Sequence, residues 1–208
     1  ACRRGHTAED SRRACLAVKA AGFSLVGQMM VGLPGATPEI ERKTAEDMVL
    51  WGADAVRVYP TVVFRGTELA RMAEEGTYVP LSQEEAVERT ASVLEIFALH
   101  GIPCIRVGLC ASENLSDPSC VAGGAFQSAI GEMAMSRVYL RRMRSALEKC
   151  AVSGRRLMLT VGAGEVSKAA GHRGENKKAL QALFSPAKLS FREKETLAPY
   201  TVEIEITD

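Results

Sequence analysis

Three short apolar runs, residues 23–31, 53–59 and 103–109, constrain this chain most. Each is too short for an ordinary helix, and Gly or Pro bounds each, so each reads as a buried strand. Between them lie stretches that open on helix caps. Thr7 has Asp10 three residues on, an acidic variant of the capping box. Thr37 precedes Pro38, which suits a first helical position because its missing N–H would be unpaired anyway. Ser82 with Glu85 is a full capping-box match. Gly22, Gly52 and Gly101 supply the stops. The order is helix, strand, helix, strand, helix, strand. Connections of crossover length make the strands parallel with helices outside, hence an α/β sheet or barrel.

The first helix lacks a strand before it, and the chain starts on Ala1 rather than Met. The expectation is a piece of a longer protein whose N-terminal half completes the barrel. Residues 110–127 are rich in Ser, Gly, Asp and Asn and read as a break. Then come a basic helix (128–150), a strand (156–161), a short helix (165–170), a turn, a helix ending at Phe184, and strands at 188–192 and 200–206. The expected organisation is a first domain over 1–112, a linker over 113–127 and a basic α/β domain over 128–208.

With 208 residues, 47% hydrophobic, the chain can hold one large domain or two small ones. No apolar run reaches membrane-spanning length and no signal-peptide pattern opens the chain, so no membrane partner is expected. The six cysteines show no Cys-x-x-Cys spacing and the three histidines stand far apart. They read as thiols of a reducing cytoplasm, with no local metal motif. The net charge of +1 hides an asymmetry. Residues 1–136 carry −5, residues 137–194 carry +10 and the last fourteen carry −4. A segment at +10 points to a polyanionic partner, or else to a solvated arginine-rich helix face.

Side chains alternate across a strand. Val56 and Val58 share one face; Arg57, Tyr59 and Thr61 share the other. Ile105, Val107 and Leu109 oppose Cys104, Arg106 and Gly108, and Gln28 shares a face with Met30. Each strand thus has an aliphatic face and a face with polar groups. Helices cover aliphatic faces, so the polar groups line a barrel interior or cleft. Arg57 and Arg106 then need an anionic or polar ligand, carboxylates of the missing half, or solvent. In parallel α/β folds, ligands sit at the carboxyl ends of the strands. "GLPG" (32–35) and "PTVVFRGT" (60–67) lie there.

The pieces "RRGHT" (3–7), "GQMMVGLPGAT" (27–37), "VRVYPTVVFRGTEL" (56–69), "GTYVPLS" (76–82) and "GIPCIRVGL" (101–109) carry a resemblance. The chain resembles the C-terminal half of a radical S-adenosylmethionine (SAM) barrel, above all the Elongator catalytic-subunit family and its bacterial relatives. The resemblance implies half of a partial (β/α)6 barrel that holds SAM and a [4Fe–4S] cluster. The cluster's Cys-x-x-x-Cys-x-x-Cys loop lies outside this chain, so none of its cysteines takes that role. By motif, Arg4 and Gln28 match positions that touch SAM's polar ends in related enzymes, although those often carry Asp where Gln28 stands. An arginine fork suits a carboxylate. Gly32, Arg57, Tyr59 and Arg106 complete the candidate cofactor-binding set; no catalytic side chain is assigned. The chain shows no acetyl-coenzyme A phosphate loop, which puts the family's acetyl transfer in doubt.

The segment 157–184 resembles the core of a KH domain: strand, helix, Gly-x-x-Gly, helix, strand. There the Gly-x-x-Gly backbone clamps nucleic-acid phosphates. Gly171-His172-Arg173-Gly174 fits, flanked by Lys168, Lys177 and Lys178. The implied function is a radical SAM enzyme that modifies RNA, with tRNA as the expected class. One alternative is a radical SAM enzyme on a small molecule, as in the coproporphyrinogen-oxidase branch. The other is a non-catalytic RNA-binding module.

Overall fold

Side-chain caps fix where the helices begin. In the computed structural model, which describes residues 5–109 and 119–208, Thr7 and Asp10 close a reciprocal box at the start of α1, Ala8–Ala20. Thr37 accepts from the Ile40 amide and places Pro38 at the head of α2, Pro38–Leu50. Ser82 and Glu85 form the box of α4, Gln83–Leu99, which follows the short α3, Glu68–Glu74. Such caps satisfy amide donors that a helix leaves unpaired, each worth about 1 kcal/mol.

The chain divides into two compact units, Ala1–Gly131 and Glu132–Asp208. The first holds a parallel sheet in the order β1-β2-β4, with β1 at Val26–Val31, β2 at Ala55–Pro60 and β4 at Cys104–Val107. Met29, Val31, Val56 and Val58 are buried on one face. Val87, Ala91, Leu94 and Phe97 of α4 are buried too, and α4 packs on β1 and β2. Burying a side chain of this size contributes roughly 1.5–3 kcal/mol. The first strand starts later than its apolar run, because the Phe23 amide donates to the Val18 carbonyl and closes α1. Phe23 is left exposed.

Two strands were hidden from the sequence. β3, Val62–Phe64, pairs antiparallel with β5, Val121–Gly124. Residues 121–124 of the expected linker therefore belong to the first unit; residues 113–118 lie outside the described residues. Gly124 has φ 87, and a Cβ there would meet the Thr61 carbonyl oxygen at 2.4 Å. Only glycine lets the two backbones approach so closely.

The long helix α5, Ile130–Leu147, runs into the second unit. Its Tyr139, Met143 and Leu147 form one buried stripe. Beneath it β6, Arg156–Gly162, is the centre of a sheet ordered β7-β6-β8. β7, Lys188–Lys194, runs parallel to β6, and β8, Glu203–Thr207, runs antiparallel. Leu157 and Leu159 are level with Leu189 and Phe191 on one side and with Ile206 and Ile204 on the other, an apolar face of period two. The opposite face carries charges, with Lys194 paired to Glu203 at 3.0 Å. Two helices, α6 at Val166–Ala170 and α7 at Glu175–Phe184, join β6 to β7. Among the described residues no helix is long and apolar enough to cross a membrane.

Candidate functional site

Burial of Val56 and Val58 turns Arg57 and Tyr59 to the other side of the sheet. Register sets Gln28 of β1 beside Arg57 of β2, and Arg57 beside Arg106 of β4. One level further along, Met30 stands beside Tyr59. Gln28 and Arg106 are exposed; Arg57 and Tyr59 are half-buried. Among the described residues the Arg57 Nε is buried without a hydrogen-bond partner.

The expected faces of the third strand need correction. A bulge makes Cys104 level with the core residue Val56 and Arg106 level with Arg57, with Ile105 between them as the extra residue. An extra residue breaks the alternation. Ile105 is therefore exposed rather than packed on an aliphatic face, and Leu109, beyond the end of the strand, is exposed too. Burial pushes the Cys104 thiol up to about 11. Cys104 should accordingly react with iodoacetamide at pH 8 at least tenfold more slowly than a free thiol with its pKa near 8.5; a free-thiol rate would place it in solvent. Thr61 also leaves the polar face: its hydroxyl donates to the Val31 carbonyl at 2.8 Å and is buried. Arg4 lies outside the described residues.

The turn after β1 is held from three directions. Gly32 has φ 84, and its amide donates to Glu41 Oε1 at 2.6 Å. Arg89 of α4 grips the same carboxylate with Nη2 at 2.6 Å and Nε at 2.8 Å, and Nη2 also reaches the Ala36 carbonyl. The Tyr78 hydroxyl donates to the Gly32 carbonyl at 2.7 Å. Burial raises the Tyr78 pKa, so the phenol stays a donor at neutral pH. A Cβ on Gly32 would come within 2.6 Å of Leu81 Cδ1. Tyr78 and Leu81 of "GTYVPLS" thus cover Gly32. Glu41, Arg89 and Tyr78 were missed from sequence. A signal existed, since Glu41 falls on the stripe of Ala45 and Met48, where a charge needs a partner.

In the second unit, Gly171-His172-Arg173-Gly174 forms a tight turn between α6 and α7, closed by the Gly174 amide on the Gly171 carbonyl at 2.8 Å. His172 and Arg173 are exposed at its tip, and Arg173 is left-handed at φ 51. Asn176 is buried under the turn, its side-chain Nδ2 donating to the Ser136 carbonyl at 2.9 Å and to the Ala169 carbonyl at 3.1 Å. Beside the turn lies a cleft of about 210 Å³, lined by Ser136, Ser167, Lys168, His172 and Arg173, with Glu132 also in its wall. Lys178 is exposed and Lys177 half-buried. Lys168 is engaged elsewhere, its ammonium 2.5 Å from the Glu165 carboxylate. Glu165 in turn accepts from the Tyr139 hydroxyl at 2.9 Å. Burial, then the Glu165 charge, keeps that phenol protonated.

Residues 53–142 match the radical SAM C-terminal domain. The chain is 37% identical over 90 residues to a tRNA uridine(34) acetyltransferase of Methanocaldococcus jannaschii, covering 42% of this chain and 17% of that one. It is 33% identical over 96 residues to human Elongator complex protein 3, covering 45% and 18%. A solved structure of Methanocaldococcus infernus Elp3 with an N-terminal deletion superposes with a TM-score of 0.52 at 26% identity, over 71% of this chain and 32% of that one. Over the stretches matched in sequence, each less than half of its length, the chain is similar to Elongator-like radical SAM proteins. It spans about a sixth of the length of those two curated relatives.

An Elongator-like radical SAM protein implies SAM and an iron–sulfur cluster. At its β1 edge the sheet fits a polar small molecule: Gln28 offers an exposed amide, and the Gly32 turn beyond it is fixed by Glu41 and Tyr78. For the cluster the described residues do not fit, because no three His, Cys, Asp or Glu side chains converge among them.

Proposed function

We propose that this segment belongs to a full-length radical SAM enzyme that modifies RNA, with tRNA as the substrate class. The supporting observation is an unpaired polar face, Gln28–Arg57–Arg106, opposite the packed helices, in a segment like those of tRNA-modifying relatives. SAM bound together with a [4Fe–4S] cluster would supply radical chemistry to the full-length protein, and this segment's part would be to position SAM and exclude water. Arg4 and Gln28 would hold SAM's polar ends, with the Gly32 backbone fixed by Glu41 and Tyr78. The second unit would hold RNA in KH-like fashion through Gly171–Gly174, with His172, Arg173, Lys177 and Lys178 toward phosphates.

Anaerobically purified full-length protein should show an iron–sulfur absorption band, cleave SAM when reduced, and bind tRNA with an affinity that falls as salt rises. Cleavage without tRNA binding would favour a small-molecule substrate. Binding without cleavage would leave a non-catalytic RNA module. The turn is tested separately by His172→Asp with Arg173→Asp. RNA affinity should fall and the log-salt slope become shallower by about 1–2, since each lost phosphate contact on a single strand removes roughly 0.7. The fold should persist, because both side chains are exposed. Unchanged tRNA affinity would return the basic segment to a solvated surface.

A further inference from the structure

The open face of the first unit's sheet is more than a cofactor wall. Arg57 and Arg106 stand level on neighbouring parallel strands, which sit only about 4.8 Å apart. Like charges directly opposite one another destabilise a sheet, and a guanidinium cannot shed its proton. Among the described residues neither arginine has a carboxylate partner, and the Arg57 Nε is buried with none. The bulge at Ile105 brings Arg106 level with Arg57, so the pairing of charges is built into the backbone.

One carboxylate, such as that of an amino acid, neutralises one fork and leaves the other. Consecutive phosphodiesters of a nucleic-acid strand answer both. One position beyond Arg57 on the same face stands Tyr59, half-buried and level with the exposed Met30. The Tyr59 hydroxyl makes no hydrogen bond among the described residues, so its ring is fixed by nothing polar. Basic side chains that follow a backbone, beside an aromatic ring on which a base stacks, are how proteins hold single-stranded nucleic acid. An enzyme that acts on a base must also take it out of its stack.

We propose that Arg57 and Arg106 bind successive phosphates of a single-stranded RNA segment and that Tyr59 stacks on one of its bases. This rests on the RNA-modifying reading above. It moves Arg57, Tyr59 and Arg106 from the cofactor to the substrate and leaves Gln28 and Gly32 with SAM.

The test compares Arg57→Gln, Arg106→Gln and Tyr59→Leu in the full-length protein, measuring tRNA affinity against salt and SAM affinity by equilibrium dialysis. Each arginine variant should lose roughly ten- to a hundredfold in tRNA affinity, with the log-salt slope shallower by about 0.7. Tyr59→Leu should lose roughly five- to a hundredfold with the slope unchanged. SAM affinity should stay within about twofold of wild type in all three, since the proposal moves them from the cofactor to RNA. A fall in SAM affinity with tRNA affinity intact would make the pair a cofactor subsite and overturn the proposal. Unchanged affinity for both ligands would mean that the arginines are neutralised within the protein, which also overturns it. If a glutamine variant fails to fold, Arg57→Lys and Arg106→Lys keep the charge but lose the fork. They should weaken tRNA binding with the slope preserved, and full tRNA affinity in both would count against the proposal. Failure of wild type itself to bind tRNA would instead sink the RNA reading on which all this rests.

Discussion

Glu41→Ala should destabilise the full-length protein by about 3–5 kcal/mol, the range seen when one partner of a buried ion pair is removed. Glu41 is 3% exposed and Arg89 15% exposed, so neither charge is rescued by water. Alanine would leave the Arg89 guanidinium buried without its bidentate partner. It would also strip the Gly32 amide of its acceptor, and an orphaned buried donor alone costs about 1–3 kcal/mol. Tyr78→Phe removes a neutral hydrogen bond to the Gly32 carbonyl and should cost nearer 1 kcal/mol. Replacing both charges, Glu41→Leu with Arg89→Met, should recover much of the loss, since apolar substitutes for a buried pair are often neutral. Urea unfolding of the two single variants and the double variant separates these terms. A loss below about 1 kcal/mol for Glu41→Ala would mean that water reaches the pair.

The clamp also marks the border of what can be read without coordinates. Helix starts at Thr7, Thr37 and Ser82 were legible because capping is local: donor and acceptor lie three residues apart. The polar and aliphatic faces of β2 were legible because alternation is local too. The Glu41–Arg89 bond spans 48 residues and obeys no period, so only the oddity of a charge on a buried stripe hinted at it. β5 escaped notice because Gly123 and Gly124 carry no strand signal; they pair because the Thr61–Val62 backbone leaves no room for a side chain. Arg106 was read as a polar-face residue, but which residue it faces depends on a one-residue bulge that alternation cannot foresee. Lys168 looked like one more phosphate ligand in a basic run. Its pairing with Glu165 follows from their three-residue spacing, yet the burial of Glu165 beside Tyr139 comes from tertiary packing.

The two glycines of the Gly171–Gly174 turn should respond very differently to alanine. Gly171 lies at φ 85, ψ 160, a region open to almost nothing but glycine, where another residue costs about 1–3 kcal/mol. Its added Cβ would also come within 2.7 Å of the Asn176 amide nitrogen. That is backbone at the head of α7, so relief requires moving a helix whose Asn176 side chain is bonded beneath α5 and α6. Gly171→Ala should therefore cost about 3 kcal/mol or more, strain and overpacking together. Gly174 lies at φ 74, ψ 22, with nothing within 4 Å of an added Cβ. Alanine there bears only the left-handed penalty, about 1 kcal/mol, and asparagine less. Chemical denaturation of both variants gives the ratio directly. Equal losses would show that the turn relaxes as a unit and that Asn176 does not anchor it. A large gap would make Gly171 the residue that shapes the turn and Asn176 its anchor.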